Sequence, residues 1–220
     1  MESKLCEILD YKEIEEEKKL WDKKAETIED DIKLRGSLKN SSVRLRKSIV
    51  QIRKFFQKNK NNNYLLDVGC GNGLFTFSVA DIFNFVVGVD FSRPIIKRCR
   101  EKRANVDFVV ASATDLPLKN NVFDAILSLS TLQHLRTKQN VEKALKEMSR
   151  TATDNSAIFL TFWDTSASST KIVKELLKKE KYKLQQSLTS KFQFTRLKFT
   201  RYVKLKGYRH PTKQNKFINI

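Results

Sequence analysis

The sequence predicts an α/β fold, a doubly wound and mostly parallel sheet with helices on both faces. Three observations carry that expectation. The apolar run Leu65-Leu66-Asp67-Val68 ends in Gly69-Cys70-Gly71-Asn72-Gly73, with glycines on alternate positions. A buried strand entering a turn that excludes side chains reads this way. The segments Phe85-Val-Val-Gly-Val89 and Ala125-Ile-Leu-Ser-Leu129 are apolar on both faces, as a covered parallel sheet requires. From Tyr64 onward, strand-like and helix-like patterns alternate, which is the signature of repeated βα units.

Taken in order, residues 2–30 are highly charged, with Leu5, Ile8 and Leu9 at helical spacing, and predict one or two amphipathic helices. Gly36, Ser37 and Asn40-Ser41-Ser42 interrupt them. Val43 to Lys58 predicts a helix whose apolar side is Val43, Leu45, Ile49, Ile52, Phe55 and Phe56. Strands follow at Tyr64–Val68, Phe85–Asp90, Asp107–Ala111, Phe123–Ser130 and Ala157–Trp163. Helices are expected at about Gly73–Phe83, after Asp90 through Arg103, at Asn140–Ala152 and at Ser169–Lys181. Beyond Tyr182 the period shortens towards two in Phe192–Phe199 and Tyr202–Lys206, and Phe217–Ile220 reads as a last strand. The expectation is a basic antiparallel hairpin. Residues 1–58 read as an N-terminal helical cap, basic from 33, and residues 59–220 as the sheet domain.

Composition narrows the class. The 220 residues are 40% hydrophobic and 10% aromatic, which suits one globular domain with additions. No signal-like or membrane-length apolar stretch is present, and the expectation is a cytoplasmic protein with no membrane span. Cys6, Cys70 and Cys99 are odd in number and unclustered, arguing for a reducing compartment and against a metal site. The net charge of +18 is unevenly spread. Residues 1–31 hold 6 basic and 12 acidic side chains, and residues 33–60 hold 10 basic and none acidic. Residues 61–164 hold 12 and 11, while residues 165–220 hold 15 and 2. A neutral centre between basic flanks predicts contact with a polyanion such as RNA, against the plainer reading of a solvated lysine surface.

The glycine turn predicts a ligand that meets backbone at close range, at the N-terminus of the following helix. Asp90, closing the second strand, is placed to accept hydrogen bonds from ribose hydroxyls. The spacing is G-x-G-x-G, not the G-x-G-x-x-G that packs a helix under a pyrophosphate. No Gly-Lys-Ser/Thr follows, which excludes a P-loop.

Asp67-Val-Gly-Cys-Gly-Asn-Gly73, Gly88-Val-Asp90-Phe-Ser92, Asp115-Leu-Pro-Leu118 and Phe123-Asp-Ala-Ile-Leu-Ser128 together resemble the class I S-adenosylmethionine-dependent methyltransferases. The resemblance covers roughly residues 60–165. It implies a Rossmann-like, seven-stranded sheet whose last strand is antiparallel, and S-adenosyl-L-methionine as cofactor. By it, Asp67 and the loop Gly69, Cys70, Gly71 and Gly73 hold the methionine end, Asp90 the ribose, and Phe91 the adenine. Ser112 stands where the family usually has an acid for the adenine amino group, and Ala113 contributes backbone. Ser130, at the end of strand four, also falls on the cofactor side, and Arg44 and Arg46 are candidates for the cofactor's carboxylate or for a substrate carboxylate, against the plainer reading of a solvated helix face.

Within the family, Ser128–His134, Arg136-Thr137, Ala144–Arg150, Leu160–Trp163, Gly207-Tyr-Arg209 and Asn215–Ile218 resemble the tRNA wobble-uridine carboxymethyl methyltransferases. The family's paired histidines are here Gln133-His134. Their substrate carboxylate is already nucleophilic, so no general base is obligatory. His134 and Arg136 are the catalytic candidates, His134 as base or substrate contact and Arg136 as receptor for the carboxylate. The alternative for His134 is a structural, helix-capping role. The resemblance also implies a small zinc-binding activator protein on the edge at strand three. Two other readings stand beside this one. Trp21-Asp-Lys-Lys-Ala25-Glu26 resembles the N-terminal helix of small-molecule and quinone methyltransferases. A non-catalytic RNA-binding scaffold is the third, and the intact Asp67, Gly69, Gly71, Gly73 and Asp90 argue against it.

Overall fold

The computed structural model describes residues 2–27, 41–58, 62–102, 105–163, 184–187 and 194–200. Two helices precede the sheet, α1 (Glu2–Thr27) and α2 (Ser41–Gln57). Then come β1 (Tyr64–Val68), α3 (Leu74–Val79) with a 3-10 turn at Ala80–Ile82, β2 (Phe85–Asp90) and α4 (Arg93–Glu101). β3 (Val106–Val110), β4 (Phe123–Leu129), a 3-10 turn at Leu132–His134, α5 (Lys138–Thr151) and β5 (Ala152–Trp163) follow. β6 (Leu184–Ser187) and β7 (Phe194–Thr200) close the sheet.

The seven strands lie in the order β3-β2-β1-β4-β5-β7-β6. β1 to β5 pair in parallel, while β7 runs antiparallel to both β5 and β6. The order reverses between β1 and β4, so the crevice for a ligand opens at the carboxyl ends of those two strands.

Period-two alternation sends neighbouring apolar residues to opposite faces. Leu66, Val68, Val87, Val89, Ile126 and Leu160 join Val141, Ala144 and Met148 of α5 on one side. Leu65, Val86, Ala125, Leu127 and Phe159 join Ile52, Phe55 and Phe56 of α2 on the other. The rings of Phe55, Phe56, Phe83 and Phe159 meet at centroid distances of 5.1 to 6.4 Å. Arg53 ties α2 to the turn after α3 through a bidentate pair with Asp81 at 2.6 and 2.7 Å and a bond to the Ser78 carbonyl. A third cluster joins Ala25 of α1 to Ile95, Ile96 and Cys99 of α4 and Phe108 of β3, with Trp21 packed against it.

Most boundaries fall within two residues of the expectation, and three larger differences stand out. The helix after β1 is shorter, ending at Val79 before the 3-10 turn. β5 starts at Ala152 because Phe123 pairs with Ala152 across a register shift, carrying the strand through a polar stretch. β7 takes Leu184–Ser187 as its hairpin partner, a segment whose sequence carries no strand pattern. Tyr202–Lys206, Phe217–Ile220 and the helix expected at Ser169–Lys181 lie outside the described residues.

Candidate functional site

The glycine turn is built by close approach of the two central strands. The N–H groups of Gly69 and Cys70 both donate to the Val89 carbonyl, at 2.7 and 2.9 Å. At the end of β1, the Val68 carbonyl accepts from Ser128 Oγ at 2.9 Å and Thr131 Oγ1 at 3.1 Å. A Cβ on Gly69 would lie 2.2 Å from Thr131 Oγ1, so only glycine lets β1 and the β4 turn meet. Gly71 differs. Its φ of +54 is left-handed, yet a Cβ there would meet nothing within 4 Å, so its bare backbone faces the open crevice.

Two aspartates flank the turn. Asp67 is buried and accepts from Thr76 Oγ1 at 2.6 Å. Asp90 is 8% exposed, and its carboxylate bridges two elements. Oδ2 accepts from Gly71 N–H at 2.9 Å, and Oδ1 from Ser92 N–H at 3.0 Å. Burial pushes the Asp90 carboxyl up to about 6, against the pull of those backbone donors. The Phe91 N–H also bears on it, and since an ionised carboxylate has about four acceptor positions, capacity for a further donor remains.

Phe91 is half-buried beside Asp90. In the loop after β3, Ser112 Oγ lies 2.8 Å from Thr114 Oγ1 and accepts from Thr114 N–H at 3.2 Å. Ala113 is half-buried against the core. That loop is braced by Arg150, which donates to the Leu116 and Leu118 carbonyls and to Glu147, while Glu147 accepts from Leu116 N–H. Ser130 ends β4 with φ +56, a left-handed conformation that a non-glycine residue adopts at a cost. Its N–H donates to the Thr161 carbonyl at 2.9 Å.

The turn Leu132–His134 carries the two catalytic candidates to α1. His134 Nδ1 lies 2.9 Å from Glu17 Oε1, and Arg136 Nη2 donates to Glu17 Oε2 at 2.9 Å. Trp21 Nε1 donates to Glu17 Oε1 at 3.1 Å, and its ring meets the His134 ring edge-on at 5.4 Å. Burial raises the Glu17 carboxyl, but the His134 charge and the three donors outweigh it and hold the group below its ordinary value. Burial likewise drives the His134 imidazole below its ordinary value, against the pull of Glu17. One step along α1, Ser92 Oγ donates to Asp22. Thr137, not His134, caps α5, accepting from Asn140 N–H at 3.2 Å.

The fold therefore brings Asp67, Gly69, Cys70, Gly71, Gly73, Asp90, Phe91 and Ser130 to the carboxyl ends of β1, β2 and β4, with His134 and Arg136 in the turn beyond. Arg46 is exposed on α2 and makes no described hydrogen bond or ion pair. Arg44 lies in the first turn of that helix. Sequence reasoning missed Glu17 and Asp22, acids indistinguishable by pattern from their charged neighbours. Trp21 was visible only through the second resemblance. Among the described residues, no group of three His, Cys, Asp or Glu side chains could hold a metal, and no helix is long and apolar enough to cross a membrane.

Comparisons with known proteins follow this geometry. Residues 66–160 match the family model described as a methyltransferase domain. Over 123 residues the chain is 30% identical to a tRNA (carboxymethyluridine(34)-5-O)-methyltransferase of Arabidopsis thaliana, covering 56% of this chain and 30% of the relative. It is 38% identical over 87 residues to a demethylmenaquinone methyltransferase of Renibacterium salmoninarum, covering 39% of this chain and 35% of the relative. The chain thus spans about a third of the length of these relatives. A solved SAM-dependent methyltransferase from Leishmania major superposes with a TM-score of 0.67 at 16% identity, covering 83% of this chain and 82% of that one, which establishes the fold.

Proposed function

With residues 66–160 forming a class I methyltransferase domain, we propose that the chain is an S-adenosyl-L-methionine-dependent methyltransferase acting on tRNA, at a carboxymethylated wobble uridine. The observation that carries the cofactor is the open backbone of Gly71 bonded to the buried carboxylate of Asp90. A Cβ at Gly71 would fill space that meets no protein atom, and Asp90 keeps acceptor capacity for a ribose hydroxyl. That donor and acceptor set fits the ribose of the cofactor. Asp67 and the turn Gly69–Gly73 would hold the amino-acid end, and Phe91 would pack on the adenine. When bound, the cofactor supplies a methyl group on a sulfonium, which a carboxylate oxygen can accept by in-line displacement.

The chain's own residues do the rest. A carboxylate acceptor is ionised at neutral pH, so the site needs positioning and charge complementarity more than a base. Arg136 offers the cation. His134, its imidazole lowered by burial against the pull of Glu17, serves as a hydrogen-bond donor to the carboxylate. The tRNA assignment draws on the name of the Arabidopsis relative and on the basic segments 33–60 and 165–220. A small activator protein would dock at β3, the edge of the sheet, where Arg100 now caps the Phe108 carbonyl at 2.6 and 3.1 Å and would have to yield. Residues 1–58 act as a helical cap and the cytoplasm as the working compartment.

The test is transfer of labelled methyl from S-adenosylmethionine to total tRNA, with and without a candidate activator. The expected product is tRNA whose label leaves under mild base, as a methyl ester does. The Renibacterium relative's name favours a second reading, a quinone-like small-molecule acceptor. Label recovered only in a lipid extract would establish that reading and sink the tRNA one.

A further inference from the structure

The contact between Glu17 and the turn after β4 is unusual in what is buried and what is not. The Glu17 side chain is 9% exposed, while its partners His134 and Arg136 are 37% and 51% exposed. A carboxylate thus sits inside a set of donors that remain open to solvent. The attraction of these donors outweighs the cost of burying the carboxylate, so the contact does help to hold α1, though it is not alone in doing so. The helix already has other holds. Ala25 is buried against Ile95, Ile96 and Cys99, and Asp22 accepts from Ser92.

The donors are also arranged as a receptor. Trp21 Nε1, His134 Nδ1 and Arg136 Nη2 converge at 2.9 to 3.1 Å on the two oxygens of one carboxylate, from two separate elements. The turn that carries two of them is braced against the glycine loop, since Thr131 donates to the Val68 carbonyl and touches the space above Gly69. A carboxylate held there lies beside the turn that follows β4, whose Thr131 meets the glycine loop. Exchange of one carboxylate for another would conserve both the charge of the place and its hydrogen-bond count.

We propose that Trp21, His134 and Arg136 form the binding site for a carboxylate of the bound reactants, and that Glu17 occupies it as an internal stand-in until that carboxylate enters. The acceptor's carboxylate is the assigned occupant, an inference that rests on the methyltransferase reading above. It makes Glu17 a competitor of the substrate and a filter against uncharged analogues, which cannot displace it. The other source of the same chemistry, the amino-acid carboxylate of the cofactor, is separated by the test.

The experiment titrates the full chain, saturated with S-adenosylhomocysteine, with 5-carboxymethyluridine and separately with its primary amide. Wild type, Glu17→Ala, Glu17→Gln and Arg136→Met are compared by calorimetry. If Glu17 leaves the receptor open a tenth of the time, its removal tightens the acid by about tenfold, with no gain for the amide. Arg136→Met is expected to abolish binding of the acid in either background. Unchanged, absent or weaker binding of the acid in both folded Glu17 variants overturns the proposal and leaves Glu17 a clamp. Tighter binding of S-adenosylhomocysteine itself by the variants, with no gain for the acid, overturns the assigned occupant in favour of the cofactor. Failure of the enzymatic reading looks different, because wild type would then bind no S-adenosylhomocysteine and transfer no methyl.

Discussion

Asp90 offers a quantitative test of the cofactor site. Its carboxyl titrates at about 6 in the ligand-free chain, because burial penalises the charged form. Ribose hydroxyls would donate to the ionised form, so binding selects it and the apparent dissociation constant scales as one plus the protonated-to-ionised ratio. At pH 5, one unit below that value, the ratio is about ten, and binding of S-adenosylhomocysteine weakens by about elevenfold, or about 1.4 kcal/mol, relative to pH 8. Calorimetry in buffers of different ionisation heat is expected to register about half a proton released per binding event near pH 6. Asp90→Asn removes the titrating group, so its binding is weaker by about a hundredfold, from the lost charge-assisted bonding, and flat across that range. The effect on folding has the opposite sense. The folded pKa lies above the unfolded one, so the penalty is absent below about pH 4 and complete above about pH 6, reaching about 3 kcal/mol. The contribution of Asp90 to the stability of the ligand-free protein therefore rises on acidification through that window, against the opposite trend of Glu17, Asp81 and Glu147, while affinity falls. A wild-type affinity that is constant between pH 5 and 7.5 would falsify the assignment of Asp90 to the ribose.

Three further outcomes follow from the geometry. Gly69→Ala and Gly71→Ala are expected to separate folding from binding. The first drives a methyl into Thr131 and lowers the melting temperature sharply, while the second costs only left-handed strain of about 1–2 kcal/mol yet loses S-adenosylhomocysteine binding, as thermal shift would report. Arg150→Ala strips the Leu116 and Leu118 carbonyls and Glu147 of their donor, and chemical denaturation is expected to show a loss of about 2–3 kcal/mol. Replacing the exposed Arg46, Lys47, Lys54 and Lys58 of α2 by Gln tests the RNA face. Each residue that meets a phosphate is expected to reduce the log–log salt slope of tRNA binding by about 0.9, and an unchanged slope removes α2 from the interface.

How much of this was legible depended on how local the signal is. β1 and β2 match their expected limits because two-sided apolar runs end abruptly, in Gly69 for one and at Asp90 for the other. β5 was truncated at Ala157 because Thr153-Asp-Asn-Ser156 reads as a loop. Only pairing with β4 across an irregular register makes it strand. β6 carries Leu-Gln-Gln-Ser and owes its form to β7 alongside, an interaction with no trace in its own residues. The glycine turn was readable because a left-handed backbone and a close approach to Thr131 need glycine at fixed places. His134 and Arg136 were readable as types but not as a pair, since what joins them is Glu17, 117 and 119 positions away.

That distance bears on the charge argument as well. Residues 1–31 are the acidic part of the chain, and their helix α1 lies against α4, which carries Arg93, Lys97, Arg98 and Arg100. The acids of this helix and the bases of α4 thus lie on adjoining elements, and segment 1–31 adds no surplus positive charge to attract phosphates. The surplus positive charge resides in 33–60 and 165–220, and the proposed attraction for a polyanion belongs to these segments. Under the proposal above, Glu17 pairs with Arg136 until an anionic group takes its place, and an acceptor that brings its own carboxylate makes that exchange without leaving the cation unpaired. Sequence-independent attraction and group-specific admission are thereby divided between two parts of the chain, and the salt slope and the carboxylate titration measure them separately.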